Sequence, residues 1–592
     1  METKKDWNKK ARLLARHLRP AASAFALGIG ASLLATLLRT LFTQIIRFTV
    51  DTALLGDPAA MPAWASGSAA ALLAAACALA AVVAALEFGV GFVQDSNLPK
   101  ASERFVKSLR DALYSHIQRL PYSWHVAHAT GDIIQRCTAD VEVVRAFVMD
   151  QLLQLVSTGF FIVVYLGVMF SMNVKLGLVA FAFIPVIILY SSVFYSRIFA
   201  HFKEADEAEG ALSTVVQENL TGVRVVRAFG REQDELEKFR VKNHRYANLW
   251  IRLGHMLTAF WSMGDLLSAM QVFSIVLLGV GMCVGGTMTL GTYLAFVSYT
   301  RQLVWPVRRI GRVISEMSKA GVSLDRLLYI LEAEEERAPE NARKADLSGE
   351  IRFEHVSFSY DRTPVLSDVS FSVPGGTTLG VLGETGSGKS TVALLLARLY
   401  DPQEGRITIG GVDVREMNQR ELRRGVGVVL QEPFLFSRTL RENIAIARED
   451  ATQEEIETAV RDACLQDAVA EFKDGYDTVV GERGVTLSGG QKQRTAIART
   501  LLSGAPVMVF DDALSAVDAK TDEAIRTRLR EAAGGSTLIL IAHRVSTLMQ
   551  ADQIIVLENG RIVERGTHEE LLKKGGVYAR VAALQSGGEE EA

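Results

Sequence analysis

The segment GETGSGKS, residues 383–390, has the residue types of a phosphate-binding loop. Its glycines let backbone N–H groups approach phosphate oxygens closely, and the start of a helix favours negative charge. Lys389 can reach the outer phosphates of a nucleotide, and the Ser390 hydroxyl can ligate Mg²⁺. The segment TTLGVLG before the loop predicts a strand, and the Leu- and Ala-rich segment 391–399 predicts a helix. This strand–loop–helix order is the context that such a loop requires.

Two further motifs lie downstream of this loop. The apolar segment VMVF, residues 507–510, predicts a strand that ends at Asp511, whose carboxylate suits Mg²⁺ either directly or through water. The segment LSGGQ, residues 487–491, precedes a predicted helix, so Ser488 and the two glycines would present hydroxyl and backbone donors to an anion. This second anion site lies too far along the chain to serve the same phosphate-binding loop.

These motifs lie in the second half of the chain, whose pattern predicts a soluble α/β domain. From residue 350, the segment IRFEHVSFSY alternates as a strand does. The charged segment LEAEEERAPENARKADLSG, residues 331–349, has no apolar periodicity and reads as a linker. We therefore predict four regions: an N-terminal helix over 1–20, a membrane domain over 21–320, a linker over 321–349 and a nucleotide-binding domain over 350–592.

The first half of the chain contains apolar runs that are long enough to cross a bilayer, which requires about 20 residues in a helix. Several runs exceed the bilayer thickness without a loop signal, so these helices are expected to extend into the cytoplasm. The sequence predicts six spans, over residues 21–49, 69–94, 151–172, 174–196, 253–283 and 289–318.

Basic residues predict the orientation of these spans. The connections at 100–145 and 197–252 carry seven and ten Lys or Arg, whereas the turns at 51–68 and 281–292 carry none. Both long connections and both ends of the membrane domain are therefore expected in the cytoplasm. Residues 1–19 hold seven Lys or Arg and show no convincing cleavage site, so we predict a helix on the cytoplasmic membrane surface and no removed signal.

Five charged side chains lie within or at the edges of the predicted spans. A charge that faces lipid is costly, so such residues normally face a protein interior or a watery cavity. Two interpretations remain open, namely structural pairing or snorkelling, and the lining of a substrate cavity. Arg301 and Asp265 fall within or near the inner half of the hydrocarbon layer and are the cavity candidates, although a pair between them would make both structural. The five residues are Arg39, Arg47, Glu87, Asp265 and Arg301.

Bulk composition excludes other classes of function. A net charge of −3 over 592 residues argues against general nucleic-acid binding, which usually needs a basic excess. The four cysteines are scattered without a CxxC pair or metal-ligand spacing, so no disulfide framework is expected. Membrane lipids, and no nucleic acid, are therefore the partners expected from the composition.

The phosphate-binding loop, LSGGQ and the strand that ends at Asp511, in this order, resemble the ATP-binding cassette of the ABC transporter family. The resemblance covers the whole chain, because six spans before one cassette look like a half-size type IV exporter with an ABC type-1 membrane domain. It implies an all-α six-helix transmembrane domain followed by an α/β, RecA-like cassette with a helical subdomain. It also implies ATP and Mg²⁺ as cofactors and an ATP-hydrolysing translocase.

The resemblance implies roles for individual residues. Tyr360 matches the aromatic residue that stacks on adenine, Gln431 matches the glutamine that links Mg²⁺ to the membrane domain, and His543 matches the γ-phosphate histidine. The residues implied for ATP binding are Tyr360, Gly383, Glu384, Thr385, Gly386, Ser387, Gly388, Lys389, Ser390 and Thr391. The resemblance implies Ser390, Gln431 and Asp511 for Mg²⁺ binding, and Gln431, Asp512 and His543 for catalysis. The residues implied to contact the ATP of a second cassette are Leu487, Ser488, Gly489, Gly490 and Gln491.

Three further segments resemble parts that couple the domains of these exporters. HIQRLPYSWH (116–125) and QENLTGVRVVRAFGRE (217–232) resemble the two cytoplasmic connections, each of which would place a short helix at a groove on a cassette. The alternative for both is a solvated helical hairpin. Residues 515–518, SAVD, resemble the loop that crosses the interface between two cassettes.

The chain departs from the family pattern at Asp512, where the family usually has the Glu that positions or activates the attacking water. Aspartate is one methylene shorter, so its carboxylate would lie about an ångström too far back, which can cost on the order of 100-fold in rate. ATP binding is expected to survive, whereas hydrolysis at this chain's own loop is expected to be slow. Because LSGGQ is complete, the chain resembles the degenerate-site subunit of bacterial heterodimeric multidrug exporters, whose partner supplies the Glu. A homodimer with two slow sites is the alternative.

The leading functional hypothesis is export of amphipathic or hydrophobic compounds across the cytoplasmic membrane. Export of a lipid, peptide or siderophore by the same machinery is an alternative that the sequence separates poorly. A non-transporting regulator that uses ATP as a switch is a remote alternative, which Asp512 keeps open. An importer is disfavoured, because importers usually keep cassettes and membrane subunits on separate chains.

Overall fold

The computed structural model describes residues 4–54, 69–361, 363–515, 517, 519–532 and 534–587. Most of the turn predicted at 51–68 lies outside these residues, as do Ala516 and Asp518 of the predicted interface loop. The chain divides into two compact units. One comprises Met1–Leu120 and His128–Glu334, and the other comprises Pro121–Ala127 and Glu335–Ala592.

The first half of the chain is helical, because a helix satisfies the backbone hydrogen bonds of a long apolar run internally. A 3₁₀ turn at Arg19–Ala21 and π-helical segments at Val50–Leu54, Arg136–Asp140 and Phe147–Leu152 adjoin the α-helices. These helices are α1 (Lys4–Leu18), α2 (Ala22–Thr49), α3 (Ala69–Ile117), α4 (Tyr122–Ala127), α5 (Thr130–Gln135), α6 (Val141–Ala146), α7 (Leu153–Met172), α8 (Val174–Thr221), α9 (Val223–Ala228), α10 (Glu232–Val284) and α11 (Leu290–Leu331).

Five helical stretches among the described residues are long and apolar enough to cross a membrane. The sixth predicted span corresponds to α11, which is a long helix but is less apolar because it carries Arg301, Gln302 and further arginines. Helix α11 continues to Leu331, so the linker predicted from residue 321 begins only after that residue. The five stretches are Trp7–Thr52, Ala70–Ile117, Thr130–Met172, Val174–Thr221 and Glu232–Val284.

The long helices pack in pairs, with α2 against α3, α8 against α10, and α11 against α8. Small residues allow helix backbones to approach closely where they cross. A side chain at Gly311 of α11 would overlap Ser191 of α8, so this crossing requires glycine. Buried aromatic side chains fill the space beside α7 and α11, namely Phe161, Tyr165, Phe296 and Tyr299.

Helix α1 is attached to the first unit through its basic side chains. Lys10 Nζ lies 2.8 Å from Asp325 Oδ2, and the lysine side chain is only 1% exposed. Lys9 Nζ donates to Glu332 Oε2 at 3.0 Å. Both acidic partners belong to α11 or its C-terminal end. The basic residues that predict a membrane-surface helix therefore also hold α1 against the helical unit.

The second unit is an α/β domain whose strands form two sheets. The strands are β1 (Ile351–Tyr360), β2 (Thr363–Val373), β3 (Thr378–Gly383), β4 (Glu404–Ile409), β5 (Val412–Asp413), β6 (Val426–Val429), β7 (Val507–Asp511), β8 (Thr537–Ala542), β9 (Gln553–Glu558) and β10 (Arg561–Gly566). An antiparallel sheet has the order β2-β1-β4-β5, and a second sheet has the order β10-β9-β3-β8-β7-β6.

The centre of the second sheet is parallel and buried on both faces. Strand β3 pairs in parallel with β8 and β9, and β7 pairs in parallel with β6 and β8. Successive side chains of a strand point to opposite faces. Accordingly, Met508 and Phe510 of β7 lie in one hydrophobic core, whereas Val507 and Val509 lie in another.

Helices α12 to α21 complete this unit. They are α12 (Lys389–Leu396), α13 (Gln419–Gly425), α14 (Leu440–Ala445), α15 (Gln453–Asp462), α16 (Gln466–Glu471), α17 (Gly489–Ser503), α18 (Ala519–Ala532), α19 (Val545–Leu548), α20 (His568–Lys574) and α21 (Val577–Gly587). An all-helical domain followed by an α/β domain is the fold class that the sequence predicts.

Candidate nucleotide site and membrane cavity

The predicted nucleotide-site residues follow the carboxyl ends of neighbouring parallel strands. Strand β3 ends at Gly383, the first residue of the loop, and β7 ends at Asp511. Strand β8 ends one residue before His543, and β6 ends two residues before Gln431. Because β3, β8, β7 and β6 are adjacent in that order, the sheet brings all four groups to one edge. This edge is where open α/β sheets bind their ligands.

The phosphate-binding loop has the predicted strand before it and the predicted helix after it, which confirms that part of the sequence analysis. Gly388 is the N-cap of α12 and has φ +99°, and Gly386 has φ +86°. Side chains rarely adopt such left-handed conformations. A side chain at Gly388 would also approach Leu366 too closely. Both glycines are therefore needed for the backbone to curl around an anion at the helix N-terminus.

Burial changes the acidity of the two charged groups beside the loop. Lys389 Nζ donates to Gly383 O and Glu384 O, each at 2.7 Å. Burial lowers the pKa of Lys389, and the charges of Asp511 and Asp512 oppose this shift. Burial raises the pKa of Asp511, and a hydrogen bond with Ser390 opposes that shift. A buried cation and a buried carboxylate thus lie at the same loop, as phosphate and Mg²⁺ binding would require.

Asp512 lies directly beside Gln431. Its backbone has φ +48°, a left-handed conformation in which Asp and Asn are several-fold enriched among non-glycine residues. Its N–H donates to Ile541 O at 2.9 Å, which holds it against β8. Gln431 Nε2 lies 3.5 Å from Asp512 Oδ2, at the outer limit for a hydrogen bond. Two residues that were predicted to act in catalysis are therefore neighbours.

Gln585, which the sequence analysis missed, anchors the segment around His543. The side-chain amide of Gln585 donates to His543 O at 2.9 Å and accepts from Val545 N at 2.8 Å. It belongs to the last helix, α21, far from His543 in the sequence. No sequence pattern marks this residue, because an exposed Gln in a C-terminal helix resembles any surface residue. Only the folded structure shows that it contacts the segment around His543. The contact fixes the backbone that carries the predicted γ-phosphate histidine.

Tyr360 lies at the end of β1, next to the helix that follows the phosphate-binding loop. Its hydroxyl is 3.3 Å from Thr391 Oγ1, so two residues predicted to bind ATP are in contact. The ring of Tyr400, which the sequence analysis also missed, packs edge-on against Tyr360 with centroids 5.3 Å apart. Tyr122 of α4 also packs edge-on against Tyr400, with centroids 5.5 Å apart. An aromatic cluster thus connects the predicted adenine residue to the segment predicted as the first cytoplasmic connection.

The LSGGQ segment forms the start of α17, as predicted. Ser488 is the N-cap, and its hydroxyl accepts from Gln491 N while Gln491 Oε1 accepts from Ser488 N at 2.9 Å. This reciprocal capping box fixes the first turn of the helix. Leu487 is buried, whereas Ser488 and Gly489 are exposed at the helix N-terminus. The segment can therefore present donors to an anion that comes from outside this cassette.

A hydrogen-bonded link connects the LSGGQ helix to the segment after Asp512. Gln493 Nε2 of α17 donates to Ser515 Oγ at 3.2 Å, and Ser515 Oγ donates to Asp512 O at 2.9 Å. Ser515 is the first residue of the predicted interface loop. The two predicted ATP-binding surfaces of the cassette are therefore joined through side chains, although they are far apart in the sequence.

Four of the five charged side chains of the predicted spans have a polar partner in the structure. Arg39 Nε donates to Glu87 Oε1 at 2.6 Å, and Arg47 Nε donates to Thr292 Oγ1 at 3.1 Å. Asp265 Oδ1 accepts from Arg308 Nη1 at 2.7 Å. The sequence left open a pair between Asp265 and Arg301, but the partner of Asp265 is Arg308. Arg301 is exposed on α11.

Arg308 forms a buried connection between α10 and α11. Its side chain is 3% exposed, and its guanidinium lies 5.2 Å from the ring centroid of Trp261 and 5.5 Å from that of Trp305. A side chain at Gly264 would overlap the guanidinium. These contacts distinguish Arg308 from the neighbouring arginines of α11. The sequence alone does not indicate which of these arginines is buried.

The two predicted coupling segments each contain a short helix. Helix α4 lies in the same compact unit as the cassette, through contacts such as Tyr122 with Tyr400. Helix α9 has no buried residue, and the apolar side chains of Leu220, Val225 and Phe229 are exposed. Docking of α9 on a second cassette stays a prediction.

Comparison with known proteins gives a consistent result over the whole chain. The family model for the ABC transporter transmembrane region matches residues 24–307, and the ABC transporter model matches residues 366–515. The uncharacterized ABC transporter ATP-binding protein YknU of Bacillus subtilis (strain 168) is 36% identical over 570 residues, which cover 96% of each chain.

A second relative and a solved structure agree. The probable multidrug resistance ABC transporter ATP-binding/permease protein YheI of Bacillus subtilis (strain 168) is 38% identical over 80% of this chain and 81% of its own. The structure of a bacterial Atm1-family ABC exporter with ATP bound superposes with a TM-score of 0.79 and 27% identity, over 97% of this chain and 98% of that one. The chain therefore belongs to the ABC transporter family and has the organisation of a half-size type IV exporter.

Proposed function

We propose that this chain exports amphipathic or hydrophobic compounds across the cytoplasmic membrane, as the subunit with the slow ATP site of a heterodimer. The observation that carries the proposal is Asp512, at the position where the family usually has Glu. Its carboxylate lies beside Gln431, with Oδ2 3.5 Å from Nε2. A side chain one methylene shorter than Glu leaves an attacking water about 1 Å out of place, which can cost on the order of 100-fold in rate.

The LSGGQ segment supports the role of this chain in a shared site. Its capping box fixes the helix start, and Ser488 and Gly489 are exposed. A chain with a weakened water-positioning carboxylate and an intact LSGGQ would complete the ATP site of its partner. The partner would supply the Glu, and most hydrolysis would occur at the phosphate-binding loop of the partner.

The residues present fit ATP with Mg²⁺. A side-chain hydrogen bond between Ser390 and Asp511 contributes to the pKa of Asp511, which supports a role for both residues as ligands of one cation. Mg²⁺ usually binds one or two carboxylates together with nucleotide phosphates, so a large acidic cluster is not needed. When bound, Mg²⁺ would neutralise charge on the β- and γ-phosphates. In this site Lys389 would hold the outer phosphates, and Gln431 with Asp512 would orient the attacking water.

The membrane domain supports transport of an amphipathic substrate. Its long connections carry the basic residues, which supports a cytoplasmic location for both ends of the membrane domain and for the cassette. The name of the relative YheI refers to multidrug resistance, and we extend that activity to this chain as part of the proposal. Arg301 would border the substrate cavity because it is exposed on α11, whereas Asp265 would contribute mainly through its pair with Arg308.

Purification of the complex from native membranes through a tag on this chain tests the proposal. We expect a second half-transporter to co-purify in equal amount, and its cassette to carry Glu at the position of Asp512. Substrate-stimulated ATPase activity should persist when Asp512 is changed to Ala and should be lost when the partner's Glu is changed to Gln.

Two results would contradict the proposal in different ways. A purified homodimer with brisk ATPase activity that Asp512→Ala abolishes would overturn the heterodimer with one slow site. An intact complex whose ATPase activity no amphipathic compound stimulates, and which transports none of them in proteoliposomes, would overturn the export function. The second result would favour the ATP-switched regulator.

A further inference from the structure

A cavity of about 410 Å³ opens within the helical unit, with walls from α2, α3, α7 and α11. Ligand pockets for small molecules usually measure about 300–1,000 Å³. Both polar and aromatic side chains line this cavity. Those that matter here are Arg39, Gln94, Ser157, Phe161, Gln302 and Trp305.

The depth of this cavity places it in the middle of the predicted membrane layer. At a rise of 1.5 Å per residue, Arg39 lies about 15 Å along the helix axis from the C-terminal end of α2. By the same measure, Gln302 lies about 18 Å from the N-terminal end of α11. The hydrocarbon layer is about 30 Å thick. The Arg39 side chain is nevertheless 58% exposed. Because a charge at this depth does not face lipid without a large cost, its exposure marks a polar space.

The Arg39 side chain is held in one orientation in this cavity, but not all of its hydrogen-bond donors are used. Its Nε donates to Glu87 Oε1 at 2.6 Å, which fixes one edge of the guanidinium. Within the part of the chain that the structure describes, its two terminal nitrogens have no hydrogen-bond partner. The side-chain amide of Gln94, which lies two helical turns after Glu87 on α3, has none among the described residues either. The guanidinium carries only donors, so a ligand must bring acceptor oxygens.

Several other polar side chains of the wall already have hydrogen-bond partners. Ser157 Oγ lies 3.1 Å from Ser32 Oγ. Gln302 Oε1 accepts from Tyr165 OH at 2.7 Å, and its Nε2 donates to Ser298 Oγ at 3.1 Å. Ser32, Ser157 and Gln302 therefore form a fixed polar frame, whereas the Arg39 guanidinium and the Gln94 amide have donors that remain available to a ligand.

The surrounding charge and apolar surface define what kind of ligand fits. Arg301 precedes Trp305 by one helical turn, so it shares the exposed face of α11 that borders the cavity. Two arginines and one glutamate leave this region with a net positive charge. The rings of Phe161 and Trp305 supply an apolar wall next to the cationic group.

We propose that this cavity binds a single-chain amphipath through its anionic head, a carboxylate or phosphate held by the terminal nitrogens of Arg39 and the amide of Gln94. The apolar chain would lie against Phe161 and Trp305. This inference rests on the proposed export function, since it names the chemical class of substrate that the exporter selects. A guanidinium binds two oxygens of one carboxylate or phosphate in a planar, paired geometry, which gives the site its selectivity for charge.

Equilibrium binding to the nucleotide-free protein in nanodiscs tests the proposal. The probes are radiolabelled dodecyl phosphate, dodecanol and dodecyltrimethylammonium, which share one chain and differ in the charge of the head. We expect the wild-type protein to bind dodecyl phosphate at least about tenfold more tightly than either other probe, as a charge-assisted hydrogen bond would provide. Arg39→Gln should remove this preference and leave dodecanol binding unchanged. Equal affinity for all three probes in the wild-type protein would overturn the proposal.

Glu87→Gln is the matched control, because it breaks the same ion pair from the other side. If Arg39 served only to pair with Glu87, both variants would affect probe binding alike. If Arg39 holds the ligand, Glu87→Gln should keep or strengthen the preference for dodecyl phosphate, since a competing carboxylate is removed. Loss of the preference in Glu87→Gln to the same extent as in Arg39→Gln would refute the ligand role. Should Arg39→Gln fail to fold, Glu87→Gln decides alone, because only the ligand role predicts an undiminished preference.

The lipid composition of the nanodisc distinguishes two sources of the anionic ligand, a bilayer lipid and a molecule from solution. In discs of phosphatidylcholine the probe meets no anionic lipid, and in discs that also contain phosphatidylglycerol it does. Displacement of dodecyl phosphate by phosphatidylglycerol would show that a bilayer lipid occupies the site, and undiminished binding would indicate a ligand from solution. Both outcomes require the anion site. Because these measurements need no ATP, they can fail while export succeeds, and the reverse.

Discussion

Substitution of Asp512 by Glu tests the proposed cause of slow hydrolysis most directly, because it restores a single methylene. Asp512 lies between β7 and the loop that leads to Ser515, and its carboxylate faces Gln431 at 3.5 Å. The longer side chain should bring the carboxylate about 1 Å further toward the water position. If misplacement of that size costs about 100-fold, its correction should lower the activation free energy by about 2.7 kcal/mol.

The backbone of Asp512 sets the cost of the same substitution. At φ +48° the residue is left-handed, and Asp or Asn tolerates this conformation better than Glu does. For other L-residues the conformation costs roughly 1–2 kcal/mol. The penalty falls on folding of the loop and not on the chemical step. We therefore expect Asp512→Glu to hydrolyse ATP faster while the protein loses a little thermal stability.

The assay uses the purified complex with the partner's catalytic Glu changed to Gln, so that the remaining hydrolysis comes from the site that contains Asp512. In this background Asp512→Glu should raise turnover on the order of 100-fold. Asp512→Asn keeps the length of the side chain and its tolerance of the left-handed backbone but removes the charge, so it should abolish the remaining turnover. If Glu leaves turnover at the level of Asp, side-chain length is not the reason for slow hydrolysis.

Three further predictions concern other parts of the cassette. Lys389→Ala should weaken ATP binding at this chain's own site while membrane insertion and dimer assembly persist; unchanged photolabelling by an azido-ATP analogue would contradict the assignment. Ser488→Arg should collapse turnover of the complex without weakening ATP binding at this chain's own loop. Ser488→Asp retains a good N-cap but repels phosphate, so normal turnover in that variant would refute the shared site. In the complex whose partner has Gln in place of its catalytic Glu, Gln585→Ala should free the backbone around His543 and lower the remaining turnover about tenfold or more with little change in ATP affinity at this chain's site, as loss of a positioning contact does; equal losses in both would indicate general destabilisation instead.

The sequence determined the domains and the nucleotide motifs because their signals are local. A phosphate-binding loop needs glycines at set positions between a strand and a helix, and residues 383–390 satisfy that requirement within one short segment. Apolar runs similarly predict spanning helices from composition alone. The weakest such run became α11, whose arginines and polar residues reduce its hydropathy. Its long helical extension to Leu331 was not predicted, because charged helical residues resemble a linker.

Only the tertiary structure decided which side chains meet. Asp265 pairs with Arg308, which is 43 residues away, because the faces of α10 and α11 and the space left by Gly264 bring them together. Nothing in the sequence distinguishes Arg308 from Arg309 or Arg301. The physical reason is that an ion pair depends on the rotation and crossing of two helices, which no segment specifies by itself.

The same reason applies to the contacts around the nucleotide site. Sequence motifs gave Tyr360 and His543 their predicted roles, but their supports, Tyr400 and Gln585, come from distant segments that carry no motif. Packing against the sheet and the folding back of the last helix create these contacts. The conformation of a local motif depends on consecutive residues and can be predicted from them. The positioning of catalytic groups depends on long-range packing that only the folded chain defines.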